Sequence, residues 1–247
     1  MVGNYFLKSL LAGGLLLAFS TVTADDFLQR LDQAVVAGSP EALAALQTEL
    51  GEPSNSSQPD DVYLWAYTSW RLAQRLPERD RKVRKRLLKD VQEQLEALIE
   101  RQPGDAEALA LLGSVLGDRI DGAFSGMRLG GRASEVLERA SELAPQNPRV
   151  ALQRGVGYYF TPKPFGGGLG KAEQALRQAL DMFAAETADQ PWPNWGRLDT
   201  LARLGQVLAD QDRSEEARAF YQQALEQAPD FVWVRDELLP ALSGPES

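Results

Sequence analysis

The stretch Leu198–Pro229, LDTLARLGQVLADQDRSEEARAFYQQALEQAP, decides the fold. Its apolar residues recur at spacings of three and four, the period of an amphipathic helix. Leu201, Leu204, Gly205 and Leu208 fall on a first helix, and Ala217, Tyr221 and Ala224 on a second that ends before Pro229. Small residues let paired helices approach while large ones fill the gaps between them. Gly205, Ala217 and Ala224 are therefore the expected contact points of a helical hairpin.

The same marks recur upstream with longer intervals. Leu109, Leu112, Gly113 and Leu116 open a unit closed by Ala133, Leu137, Ala140 and Pro145, and Gly113 to Ala133 spans 20 residues where Gly205 to Ala217 spans 12. Gly155 and Tyr158 pair with Ala172, Leu176 and Ala179 at an interval of 17, with Arg154 in the leucine place. Trp65 and Leu72, followed by Val91, Leu95, Leu98 and Pro103, mark a degenerate unit. Asp25–Leu50 provides one more helical pair, broken at Gly38-Ser39-Pro40, where serine before proline starts a helix.

This pattern resembles the tetratricopeptide repeat family, most closely at Leu198–Pro229 and less so at Ala106–Pro145. The resemblance implies an all-α, right-handed solenoid of about four hairpin units over 61–240, because each hairpin buries its apolar face only by stacking on a neighbour. A helical pair at 25–50 precedes the array, the hinge-like linker Gly51–Asp60 separates the two, and a capping helix at Asp230–Leu239 closes it.

Composition narrows the chemistry. The 247 residues include neither cysteine nor histidine, which excludes disulfides, thiol catalysis, the usual zinc sites and a histidine-based triad. A net charge of −9 disfavours a nucleic-acid role. Met1–Lys8 with one positive charge, the short apolar run to Phe19 and Val22-Thr23-Ala24 read as a cleaved secretory signal peptide over residues 1–24, hence export to a bacterial periplasm; an uncleaved membrane anchor is the alternative.

Three enlarged turns between first and second helices are expected along one edge of the stack. Asp118–Gly131 forms one loop and Phe160–Gly170 the next, each mixing aromatic, basic and glycine residues. Long loops within compact domains are often functional; the alternative is that Phe124, Met127 and Phe165 plug gaps between units while the glycines turn the chain. The candidate partner contacts are Arg119, Phe124, Arg128, Tyr159, Lys163, Phe165 and Trp195. By resemblance, Tyr159 lines a groove formed by first helices. Trp192 and Trp195 offer binding platforms or packing, and Asn194 is the expected cap of the last unit's first helix.

GGGLGK, 166–171, fails as a Walker loop, because Phe165 and Ala172 stand where a glycine and a hydroxyl are required. Asn55-Ser56-Ser57 matches a glycosylation acceptor, a match of little weight on the expectation of a bacterial periplasm. Between Arg71 and Lys89 lie nine basic residues, of which Arg79, Lys82, Lys85 and Arg86 are placed to meet an anionic membrane unless they form a solvated face compensated by Glu93, Glu96 and Glu100. Asp118 and Asp121 are expected to pair with basic neighbours such as Arg128, leaving no acid/base pair for catalysis.

The expected function is non-enzymatic binding of a protein or peptide, without cofactor or metal. A low-specificity resemblance to the T component of tripartite periplasmic transporters implies the alternative, small-ligand binding, which calls for a pore or closed pocket through the helices.

Overall fold

The computed structural model describes residues 24–54, 57–186 and 192–242. The signal segment up to Thr23 and the Asn55-Ser56 part of the glycosylation match lie outside these residues. The described chain is helical throughout: α1 (Ala24–Val36), α2 (Pro40–Leu50), α3 (Pro59–Arg75), α4 (Arg81–Arg101), α5 (Ala106–Asp118), α6 (Ala123–Leu143), α7 (Pro148–Phe160), α8 (Leu169–Ala185), α9 (Arg197–Ala209) and α10 (Ser214–Gln227). A π-helical segment, Trp233–Leu238, runs into a last turn at Leu239–Ala241 and takes the place of the expected capping helix. Consecutive helices pair as α1/α2, α3/α4, α5/α6, α7/α8 and α9/α10, one pair followed by four units.

Helix starts follow the local chemistry. The Ser39 side chain accepts a hydrogen bond from the Ala42 N–H ahead of Pro40, Asp105 does the same for Ala108, and Asn147 accepts from Arg149 and Val150. Each satisfies backbone donors that a helix start leaves free. Asn194 does not cap α9. Gly196 occupies that position at φ 111°, pressed against Phe183 and Leu152, so the chain enters α9 through a backbone shape that glycine tolerates and a capping side chain does not.

Within the units, small residues sit where helices touch. A Cβ added to Gly113 would lie 2.6 Å from Leu137, one on Gly155 2.7 Å from Leu176, and one on Gly205 2.3 Å from Tyr221. Ala140, Ala179, Ala217 and Ala224 are fully buried beside them. The leucines of the pattern, Leu201, Leu204 and Leu208, are also fully buried, each burial contributing about 1.5–3 kcal/mol.

The first helices are not left open on their inner side. Tyr67 and Trp70 of α3 pack on Trp195 with ring centroids 4.7 and 6.2 Å away, and Trp192 sets its edge against Tyr67 at 5.5 Å. Arg71 of α3 pairs with Asp199 of α9 at 3.0 Å, and Arg75 approaches Glu237 at 3.9 Å. Buried Arg149 binds Glu107 at 2.7 Å and Glu186 at 2.6 Å, joining the start of α7 to the start of α5 and to the residue after α8. Tyr63 donates to the second Glu107 oxygen and accepts from the Trp195 indole, both at 3.2 Å. Side chains from the first unit therefore reach across to the last one.

Candidate functional site

The edge is built differently from its expectation at the α5–α6 junction. Ala123–Gly131, expected as loop, forms the first turns of α6, so the extra residues lengthen the second helix instead of the turn. Helix α4 is extended in the same way, and both span 21 residues against 13 for α5. Glycine in a helix costs about 1 kcal/mol relative to alanine, but here Ile120 folds back over Gly126 and Gly130, 3.6 and 3.9 Å from where their Cβ atoms would be. The Ser125 hydroxyl accepts from the Asp121 N–H and lies 2.9 Å from the Asp121 carboxylate, fastening the start of the helix.

Helix α4 runs alongside the α5–α6 turn and the first part of α6, with contacts that climb in register: Lys85 with Asp121 and Gln92 with Arg119, both in the turn, then Glu96 with Arg132 of α6 at 2.7 Å. Between α4 and α6 opens a cleft of about 290 Å³ lined by Lys89, Gln92, Glu93, Glu96, Arg119, Arg128, Leu129 and Arg132. Two predicted contacts, Arg119 and Arg128, meet here. Arg128 does not pair with Asp118 or Asp121 as expected. Asp118 instead accepts from the Trp70 indole at 2.8 Å and from Gln74 at 3.2 Å, and Asp121 is held by Lys85, which together with Ser125 lowers its pKa below the usual carboxylate range. Gln92 and Arg132 were missed in the sequence, and Lys89 was seen only as the end of the basic run. The one signal was the spacing of Arg128 and Arg132, which places both on one helical face.

The α7–α8 turn lies at the same edge, since α5 and α7 run parallel, Glu107 meeting Arg149 and Ser114 meeting Gln153. Its glycines are structural. A Cβ on Gly167 would stand 1.9 Å from the Thr161 carbonyl oxygen, and Gly168 at φ 119° donates its N–H to Tyr158 O at 2.8 Å. Lys163 folds over Gly168, and Lys171 donates to the Gly166 carbonyl at 2.8 Å, so the lysine of GGGLGK closes its own loop. Helix α8 opens at Leu169, two residues ahead of Lys171.

The aromatics behave in the opposite way to the glycines. Phe124, Met127 and Phe165 are 78, 81 and 79% exposed, so none plugs a gap between units. Phe160 is also exposed, with Arg203 over its ring at 5.6 Å. Tyr159 is tied down by a 2.6 Å hydrogen bond to Asp210 at the end of α9. Burial and that carboxylate push its phenol up to about 12. Trp195, expected as a partner contact, is a correction: at 5% exposure it packs on Tyr67 and Trp70 and has no accessible face.

The basic run divides. Arg71 is buried on Asp199, and most of the others have local acids: Arg79 with Asp80, Arg81 and Arg84 with Glu78, Arg86 with Asp90, Lys89 with Glu93. Lys85, held by Asp121, is committed to the α4–α6 junction. Lys82 is exposed beside Val83, Arg79 and Arg86.

Among the described residues, no group of three or more aspartate or glutamate side chains is placed to hold a metal, and no helix is long and apolar enough to cross a membrane. Residues 199–231, the α9/α10 hairpin, match the tetratricopeptide repeat family model. No curated protein matches the chain in sequence. Two solved structures show a similar fold. The Thermus thermophilus protein TTC0263, a thermophilic TPR protein, aligns with a TM-score of 0.59 and 24% identity over 89% of this chain and 98% of its own. The HusA haemophore of Porphyromonas gingivalis aligns with a TM-score of 0.53 and 21% identity over 77% of this chain and 94% of its own.

Proposed function

We propose that this tetratricopeptide-repeat chain is a non-catalytic docking platform that holds a segment of a partner protein along the edge formed by its α5–α6 and α7–α8 turns. One observation carries the reading: Phe124, Met127 and Phe165 stand almost fully exposed on that edge, on backbone fixed by Ile120 and by the glycines of the neighbouring turn. Large apolar side chains exposed on an otherwise polar surface mark interaction sites. Arg119, Arg128 and Lys163 supply the polar rim. The carboxylates Asp118 and Asp121 are occupied by Trp70, Gln74 and Lys85, which supports binding over acid/base chemistry.

The docking surface is the outer edge and not the inner groove, because Tyr67, Trp70, Arg71 and Trp195 occupy the inner side of the first helices. The small-ligand alternative calls for a pocket enclosed by helices, whereas the α4–α6 cleft opens at the surface. The reading includes export to the periplasm, supported by the sequence of residues 1–24. It also includes peripheral contact of Arg79, Lys82 and Arg86 with an anionic surface, which flotation with phosphatidylglycerol vesicles tests against the triple alanine variant.

The deciding experiment is photo-crosslinking in the producing cell, with p-benzoylphenylalanine in place of Phe124, Phe165 or, as a control at the far end of α6, Leu143. Discrete adducts are expected from the first two positions only. Equal labelling at all three, or none, overturns the reading.

A further inference from the structure

We propose that the cleft between α4 and α6 receives the carboxylates of an acidic peptide segment. This deepens the docking reading and rests on it. Its first support is a local count of charge. The cleft holds four cations, Lys89, Arg119, Arg128 and Arg132, against two acids, Glu93 and Glu96. Lys89 binds Glu93 at 2.7 Å and Arg132 binds Glu96 at 2.7 Å, so both acids are matched from within. The Arg119 guanidinium meets only the neutral amide oxygen of Gln92, and Arg128 makes no ion pair among the described residues. Asp121 on the adjoining turn is taken by Lys85.

Two guanidinium charges are thus left over on a chain of net charge −9. The chain as a whole repels anions, so an anion that binds must be drawn by such a local excess. Guanidinium forks match the two oxygens of a carboxylate in a way that an ammonium does not.

Size and shape favour a peptide over a free ion or a large cofactor. The volume of about 290 Å³ falls just below the range of roughly 300–1,000 Å³ usual for small-molecule pockets. From Lys89 to Glu96 the helix rises about 10 Å, which an extended chain covers in about three residues. In an extended chain, side chains two apart share a face, so a Glu-x-Glu segment presents both carboxylates to the cleft. Leu129 supplies an apolar wall, and exposed Phe124, about one turn before Arg128 on α6, meets an apolar neighbour of the acidic pair.

The test titrates the full chain with acetyl-Glu-Ala-Glu-Ala-Glu-Ala-amide, following the arginine Nε–Hε resonances by NMR. Two further arms use the glutamine analogue of the peptide and inorganic phosphate. The acidic peptide is expected to shift Arg119 and Arg128 selectively. Arg128→Ala is expected to weaken it at least fivefold, and Glu93→Gln to tighten it. No selective shift, equal binding of the glutamine peptide, or matching shifts from phosphate at the same concentration overturns the assignment. Adducts at Phe124 without peptide binding remove this inference and leave the docking edge standing, whereas peptide binding without adducts does the reverse.

Discussion

Tyr221 lies against Gly205 so closely that a Cβ on the glycine would stand 2.3 Å from the ring carbon Cε1. The contact sets the separation of the last two helices. Gly205→Ala forces the buried ring aside, an overpacking cost of about 1–3 kcal/mol, and better helix propensity returns only about 1 kcal/mol. A net loss of up to about 2 kcal/mol is expected in urea unfolding. Gly131→Ala is the control. No atom lies within 4 Å of the new methyl group on that exposed helical residue, so stability should rise by up to about 1 kcal/mol.

Arg71→Met should be among the most damaging single changes. It strands Asp199, whose side chain is 17% exposed, without its partner. Removing one member of a buried pair costs about 3–5 kcal/mol. Adding Asp199→Leu should recover much of that loss, because the unpaired charge disappears with it. Chemical denaturation of the two variants checks both statements.

Alkaline pH should weaken the fold through its tyrosines. Burial pushes the phenols of Tyr63 and Tyr67 up from 10, and burial with the Asp210 bond brings Tyr159 to about 12. A phenol that holds its proton more tightly in the folded chain leaves stability unchanged below pH 10. Stability then falls as pH climbs from about 10 towards 12, where the unfolded chain ionises first. Urea midpoints at pH 9, 10 and 11 should decline in that order, and absorbance at 295 nm should show Tyr63 and Tyr67 ionising only with unfolding.

The docking edge should be separable from stability. Phe124→Ser and Phe165→Ser change side chains that are 78 and 79% exposed, so unfolding free energies should stay within about 0.5 kcal/mol of the parent chain. Crosslinking from a probe at Met127 should nevertheless disappear in the double variant. Unchanged adducts would assign the two phenylalanines no part in docking.

The hairpins were legible because the signal is local. Gly205 with Ala217, or Gly113 with Ala133, reports a close helix approach in any context, and Ser39-Pro40 is a helix start by its own chemistry. What sequence misplaced depends on contacts from afar. Gly126, Gly130 and Gly131 read as a loop, whereas the stretch is helical, with Ile120 folded over the first two and Ser125 bonded to Asp121 at its start. Trp195 reads as a free platform until Tyr67 and Trp70, more than 120 residues earlier, close over it. Arg119 and Arg128 were visible as candidates, but the cleft they share was not, since it exists only where α4 lies alongside α6.

The pairing of Arg71 with Asp199, backed by Arg75 near Glu237, changes how the array should come apart. Stacks of hairpins that touch only their neighbours fray from the ends and stretch like springs. Here α3 of the first unit is latched onto α9 of the last, so the four units between them should melt as a single concerted event while the α1/α2 pair outside the latch can leave first. A latched ring is also stiff, which suits a rim that must present three apolar side chains in fixed relative positions.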